Sequence, residues 1–189
     1  MRSFRHTIDS VRRLVRDRRG ATLVEFALVV PVLTFITLAS IELGRYALLN
    51  QKLNNAATSL AELAARDGSI TVAQLNSMFA IVPSLTQPYD FLNDGVAIVT
   101  SITAQVDGVP EVAWQQSGGG ALVEASLIGL PGNNATFPAD LPTRAGDTII
   151  SAEVYFNVVP LFNNILRTPK TLYRSAYVRP RLGSLTTIE

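Results

Sequence analysis

Residues 21–41 read ATLVEFALVVPVLTFITLASI, an apolar run whose only charge is Glu25. At about 1.5 Å per residue this run spans roughly 31 Å as a helix, close to the about 30 Å of a bilayer's hydrocarbon core. No polar stripe breaks it between Phe26 and Ser40, which argues for a membrane span over the core helix of a soluble domain. Beyond it the pattern changes. Leu49, Leu53, Ala56, Leu60 and Leu63 recur at 4-3-4-3 spacing, with Asn50, Gln51, Lys52, Asn54 and Asn55 between them. That is one apolar stripe on a polar helix, running to about Arg66 with Gly68 as a stop. The whole predicted element, about 45 residues, would be roughly 68 Å long. Two uses of the stripe are open: docking on the chain's own body, or packing against another subunit.

The rest of the chain reads as a small α+β body. A second helix is predicted over 72–82, with Thr71 as N-cap and Pro83 as terminator. Past Pro88 the period becomes two. Val96, Ile98, Ile102 and Val106 alternate with more polar positions, and Asp107-Gly108 turns the chain into a partner strand over 109–116. Residues 117–147 are loop-like, with SGGG at 117–120, PGNN at 131–134 and prolines at 138 and 142. Strand character returns over 148–159, with Ile150, Val154, Phe156 and Val158 on one face, and again over 171–181. The expectation is a small antiparallel sheet packed near the long helix.

Composition narrows the chemistry. The chain has no Cys, and its one His is His6. Thiol and imidazole catalysis, and zinc sites built on Cys or His, are therefore excluded after residue 20. The formal net charge of +1 conceals a split: residues 1–20 hold seven arginines against Asp9 and Asp17, while the remainder holds nine basic and thirteen acidic groups. The basic head places the N-terminus in the cytoplasm and the body across the membrane, because only Arg45, Lys52 and Arg66 follow within twenty-five residues of Ile41. A cleaved secretory signal has a shorter apolar core, and a mitochondrial presequence does not lead straight into a membrane-length run. A retained anchor accounts for most of the pattern.

Other motifs carry less. Gly118-Gly119-Gly120 lacks the Lys-Ser/Thr and the strand–helix context of a phosphate loop. Asn134-Ala135-Thr136 matches a glycosylation sequon, and Asp107, Asp140 and Asp147 form no recognisable calcium loop. The arginines and tyrosines of 173–181 read either as a nucleic-acid strip or as an edge strand guarded by charge and Pro180. The acidic body favours the edge strand and argues against a nucleic-acid partner. No catalytic, cofactor-binding or metal-ligating set is predicted, so the expectation is not an enzyme.

RRGATLVEF at 18–26, continued by ALVVP at 27–31 and IELGR at 41–45, resembles the TadE-like family of minor pilins, or pseudopilins, of tight-adherence (Tad, or Flp-type) pilus systems. Gly20, Ala21, Glu25, Phe26, Pro31, Glu42 and Gly44 fit that family's pattern. The major pilins of these systems usually place Tyr after the Glu and are much shorter, so Phe26 points to a minor member. The resemblance implies a basic leader (1–20) cut after Gly20 by a prepilin peptidase, a TadE-like region (21–66, membrane helix 21–41 and stalk 42–66) and an exported body (67–189). It implies a single pass through a bacterial inner membrane with a periplasmic body. The implied partners are the membrane, the peptidase, other pilin subunits and the assembly platform. An uncleaved membrane-anchored adaptor of a secretion or pilus assembly complex is the alternative.

Glu25 has two readings. It can snorkel to the interface one turn inside the boundary. Or, once the chain is cut, the new amine of Ala21 lies one helical turn away, at the positive end of the helix dipole, and can pair with Glu25 in the same chain or in a neighbour. Pro31 reads as a tolerated bend.

Overall fold

The computed structural model describes residues 19–105, 108–136, 138, 144–161 and 170–188. Nearly all of the leader, and Val106, Asp107, Asp140 and Pro142, lie outside the described residues. One helix, α1 (Arg19–Ala64), is followed by three short helices: α2 (Val72–Phe79), α3 (Val82–Thr86) and α4 (Phe91–Asp94). Four strands complete the chain, β1 (Gly95–Ala104), β2 (Pro110–Gly118), β3 (Thr148–Val158) and β4 (Lys170–Val178). They form one antiparallel sheet in the order β2-β1-β3-β4, so the fold is α+β, as the periodicity predicts. The chain divides into two compact units, one ending at Gly44 and one beginning at Arg45.

In the first unit the apolar residues from Ala21 to Val32 are exposed without exception. In the second unit the stripe of α1 is buried. Leu49, Leu53, Ala56, Ala57, Leu60, Ala61 and Ala64 join Ala97, Val99, Trp114, Ile150, Ala152, Val154 and Phe156 in one core. The stripe thus docks on the chain's own sheet, and alternation along β3 supplies the matching face. Leu63, expected in the stripe, is only half-buried, and alanines at 57, 61 and 64 take the contact instead.

The opposite face of the sheet is covered by the loop after β2. Val96, Ile98 and Tyr155 pack with Leu122, and Ile102, Val112 and Ile149 pack with Ile128. A β-bulge makes both faces usable. Ser101 pairs with Trp114 while Ile102 pairs with Val112, so Ala113 is an extra residue that puts Trp114 and Val112 on opposite faces. The SGGG run is a packing device. A Cβ on Gly118 would stand 2.6 Å from the Phe79 ring, and one on Gly120 would stand 2.2 Å from the Gly95 carbonyl.

Three expectations are corrected. The helix read over 72–82 is two helices: the Thr71–Gln74 capping box starts α2 as expected, but Pro83 sits in the first turn of α3, where its missing N–H costs nothing. Gly68 does not cap α1 in a left-handed conformation. The C-terminal tail performs that role, since the Arg181 N–H donates to the Ala65 carbonyl at 3.1 Å. Strand character predicted to Arg181 ends at Val178, and the chain then crosses beneath the sheet. There the Leu185 carbonyl accepts from the Ser101 hydroxyl (2.6 Å) and the Trp114 indole N–H (2.9 Å). β4 is an edge strand followed by Pro180, the arrangement its arginines and proline suggest.

Truncating the docked stripe should be costly and truncating the exposed run should not. Leu60→Ala is expected to destabilise the body by about 2–5 kcal/mol, the range for a buried leucine. Leu43→Ala should leave it unchanged. Denaturant unfolding in detergent, followed by fluorescence of the single Trp114, reads both.

Candidate functional site: the apolar helix

The first three turns of α1 hold Gly20, Ala21, Glu25 and Phe26, all exposed. The Gly20–Ala21 bond lies in the first turn, where backbone N–H groups have no intrahelical acceptor. Ala21 and Glu25 are one turn apart on the same face. Pro31 sits inside the helix, which remains assigned through it. Glu42 is buried and Gly44 exposed, and both lie at least about 26 Å along the axis from Glu25 by helical rise. The sequence-predicted positions therefore form a linear array on one helix, with Glu42 and Gly44 well separated from the cluster at its start.

Three hydroxyls of this run are satisfied within it. Thr34 donates to the Val30 carbonyl, Thr37 to Leu33 and Ser40 to Ile36, each at 2.8 Å. A hydroxyl that bonds the carbonyl one turn back adds no unmet donor to an apolar solvent. The helix is long and apolar enough to cross a membrane, and none of its most apolar stretch is buried by the rest of the chain. It is compatible with a single-pass anchor.

Residues 20–62 match the family model described as TadE-like protein. This segment is TadE-like. No curated protein and no solved structure matches the chain. The TadE-like match begins at Gly20 and ends inside the docked stripe, so it takes in the exposed run and most of the stalk.

A second polar cluster was not foreseen. Glu153 on β3 is fully buried. Its Oε1 accepts from the Leu127 N–H (3.0 Å) and from the Tyr155 and Tyr173 hydroxyls (3.1 Å each), and its Oε2 accepts from the Ser126 hydroxyl. The Tyr155 hydroxyl also lies 3.0 Å from the Ala125 carbonyl, which shares its single proton. Burial, reinforced by the Glu153 carboxylate, pushes the Tyr155 phenol above the ordinary tyrosine range. Burial likewise raises Tyr173; a Ser175 contact opposes the shift and Glu153 adds to it. These bonds pin residues 125–128 across the outer face of the sheet. The only sequence signal was one acid inside the run IISAEVYFNV, which alternation alone reads as solvent-facing. Among the described residues no three acidic or imidazole side chains are arranged to hold a metal ion.

The two phenols make a pH prediction with a definite sign. Their folded pKa values lie above the unfolded value of about 10. The stabilisation they carry is fully present below about pH 10 and is lost as pH rises beyond it. Ultraviolet titration should show two of the five tyrosines resisting ionisation until the body unfolds. Glu153→Ala, which strands several buried donors, should cost at least about 3 kcal/mol in denaturant titrations.

Proposed function

We propose that the protein is a minor pilin or pseudopilin that takes part in assembling a Tad (Flp-type) pilus. Its role is structural, not catalytic. The observation that carries this reading is the junction of a TadE-like segment beginning at Gly20 with an apolar helical run, exposed from Ala21 to Thr37, that bears Glu25 one turn from Ala21. The chain inserts with its arginine-rich head in the cytoplasm and its body on the far side, in the bacterial inner membrane. A prepilin peptidase cuts after Gly20, which removes seven of the sixteen basic groups and leaves an acidic mature chain. The apolar helix then enters the assembly beside those of other pilin subunits.

Glu25 sets the register of that assembly. A carboxylate surrounded by apolar helices is costly unless a positive group meets it, and the N-terminal amine of an adjacent subunit is such a group. Slipped stacking leaves both charges unmet; correct stacking pairs them.

Mass spectrometry of the chain purified from membranes of pilus-forming cells tests the reading. A mature N-terminus at Ala21 is expected, and Gly20→Leu should leave the leader attached. An intact leader on the wild-type chain would instead support an uncleaved adaptor. Glu25→Ala should insert and be processed normally yet lower pilus yield at least about tenfold, the effect of losing about 1.4 kcal/mol per placement. Normal pilus assembly by that variant would sink the proposed role of Glu25.

A further inference from the structure

The body exposes a set of large apolar side chains at one end of its sheet, the end from which α1 leaves toward the apolar run. The position of that end follows from contacts within the body. The Tyr89 hydroxyl donates to the Arg45 carbonyl at 2.7 Å, and its ring lies beneath the Arg45 guanidinium at 5.9 Å. Tyr89 also meets Phe156 edge-on, Phe156 stacks on Phe91, and Gly95 pairs with Phe156 in the sheet. The start of β1 and the end of β3 therefore lie at the level of Arg45. Four exposed apolar residues flank this point. Leu92 (60% exposed) follows Phe91, and Val159 (53%) and Leu161 (56%) follow β3 directly. Val123 (92%) is held here because the Ala121 N–H donates to the Leu92 carbonyl and the Leu122 N–H to the Gly95 carbonyl.

We propose that this end of the body rests on the lipid surface, with Leu92, Val123, Val159 and Leu161 in the interfacial layer. The inference rests on reading α1 as a membrane anchor. Covalent reach supplies the argument for lipid as the occupant. Arg45 follows Ile41, the last residue of the apolar run, by four residues, so even a fully extended chain places it within about 14 Å of the hydrocarbon boundary. The headgroup layer is itself roughly 5–8 Å deep on each side. Whatever angle the body takes, its Arg45 end is the part the membrane can meet first. Tyr46 and Tyr89 beside Arg45 have the amphipathic rings that concentrate at such interfaces. Exposed apolar clusters of this kind mark interaction surfaces.

The charges at this end argue for an apolar, composition-tolerant contact. Among the described residues Arg45 and Lys170 are offset by Asp90, Asp94 and Glu124, so anionic lipid gains little. The contact would fix the body's tilt on the membrane before assembly, and it would be given up when the helix leaves the bilayer.

The absence of cysteine makes the test direct. Single-cysteine variants of the full chain, each labelled with an environment-sensitive dye, are reconstituted at high lipid-to-protein ratio into vesicles of phosphatidylethanolamine and phosphatidylglycerol. Headgroup and acyl-chain spin labels serve as quenchers. Leu33→Cys should be quenched as a member of the span. Leu92→Cys and Leu161→Cys should show a blue shift and loss of emission to the headgroup quencher, at any phosphatidylglycerol fraction. Leu130→Cys and Leu182→Cys, exposed at the other end of the sheet, should stay solvent-like and unquenched. Quenching at Leu33 with solvent-like emission at Leu92 and Leu161 would overturn the inference and leave the anchor standing. No quenching at Leu33 would remove the anchor itself. A blue shift at Leu92 without lipid quenching would assign the surface to another protein and also overturn the inference. Adding Leu92→Glu to the labelled Leu161→Cys chain should release that quenching, since a surface substitution of this kind leaves the fold intact.

Discussion

Everything in the body depends on the docking of residues 49–64 of α1 against the side chains of β1 and β3 that face it. Ala56, Ala57, Ala61 and Ala64 on the helix share one core with Ala97 and Ala152 on the central strands, together with Leu49, Leu53 and Leu60. Native interiors gain stability from dense packing of this kind. The consequence is that the stripe is consumed. A surface buried in its own body is not available to a neighbour.

The second face of the sheet is solved by different means. Among the described residues no helix covers it; a loop does, and a loop brings unmet backbone groups with it. Glu153 answers that requirement by accepting from the Leu127 N–H and the Ser126 hydroxyl while two tyrosines complete its shell. The bulge at Ala113 turns Val112 outward so that Ile128 has a partner under the same loop. Gly118 and Gly120 let the loop leave the sheet past Phe79 and Gly95, where a Cβ would collide, and Gly119 between them holds a positive φ of 87°. Loop, bulge, glycines and buried acid act as one device.

Periodicity made the large features legible. The apolar run, the stripe as far as Leu60 and the two central strands each follow from a local repeat, the edge character of β4 follows from its arginines and Pro180, and each is present. The start of the TadE-like segment at Gly20 was legible as well, because it is a linear motif on one helix. What stayed hidden was long-range. Nothing near Gly68 says that Arg181 will meet Ala65, and nothing near Leu185 says that its carbonyl will serve Ser101 and Trp114. Pro83 was ambiguous for a physical reason: proline ends one helix and begins another with equal ease. Glu153 was misleading because alternation assigns a strand's acid to solvent unless a second layer covers that face.

Two carboxylates in this chain meet the same problem in opposite ways. Glu153 sits in a protein interior and is met by four donors from its own chain, so its burial is complete without any partner. Glu25 sits on a helix whose hydroxyls bond their own backbone and whose surroundings are exposed, and among the described residues no side chain or backbone group donates to it. An acid of that kind is tolerable at a wet interface and costly among apolar helices. The self-sufficiency of Glu153 shows what the fold does when an acid is meant to be satisfied internally. The first turns of α1 make no such provision, so any environment that dehydrates Glu25 must bring the positive group with it.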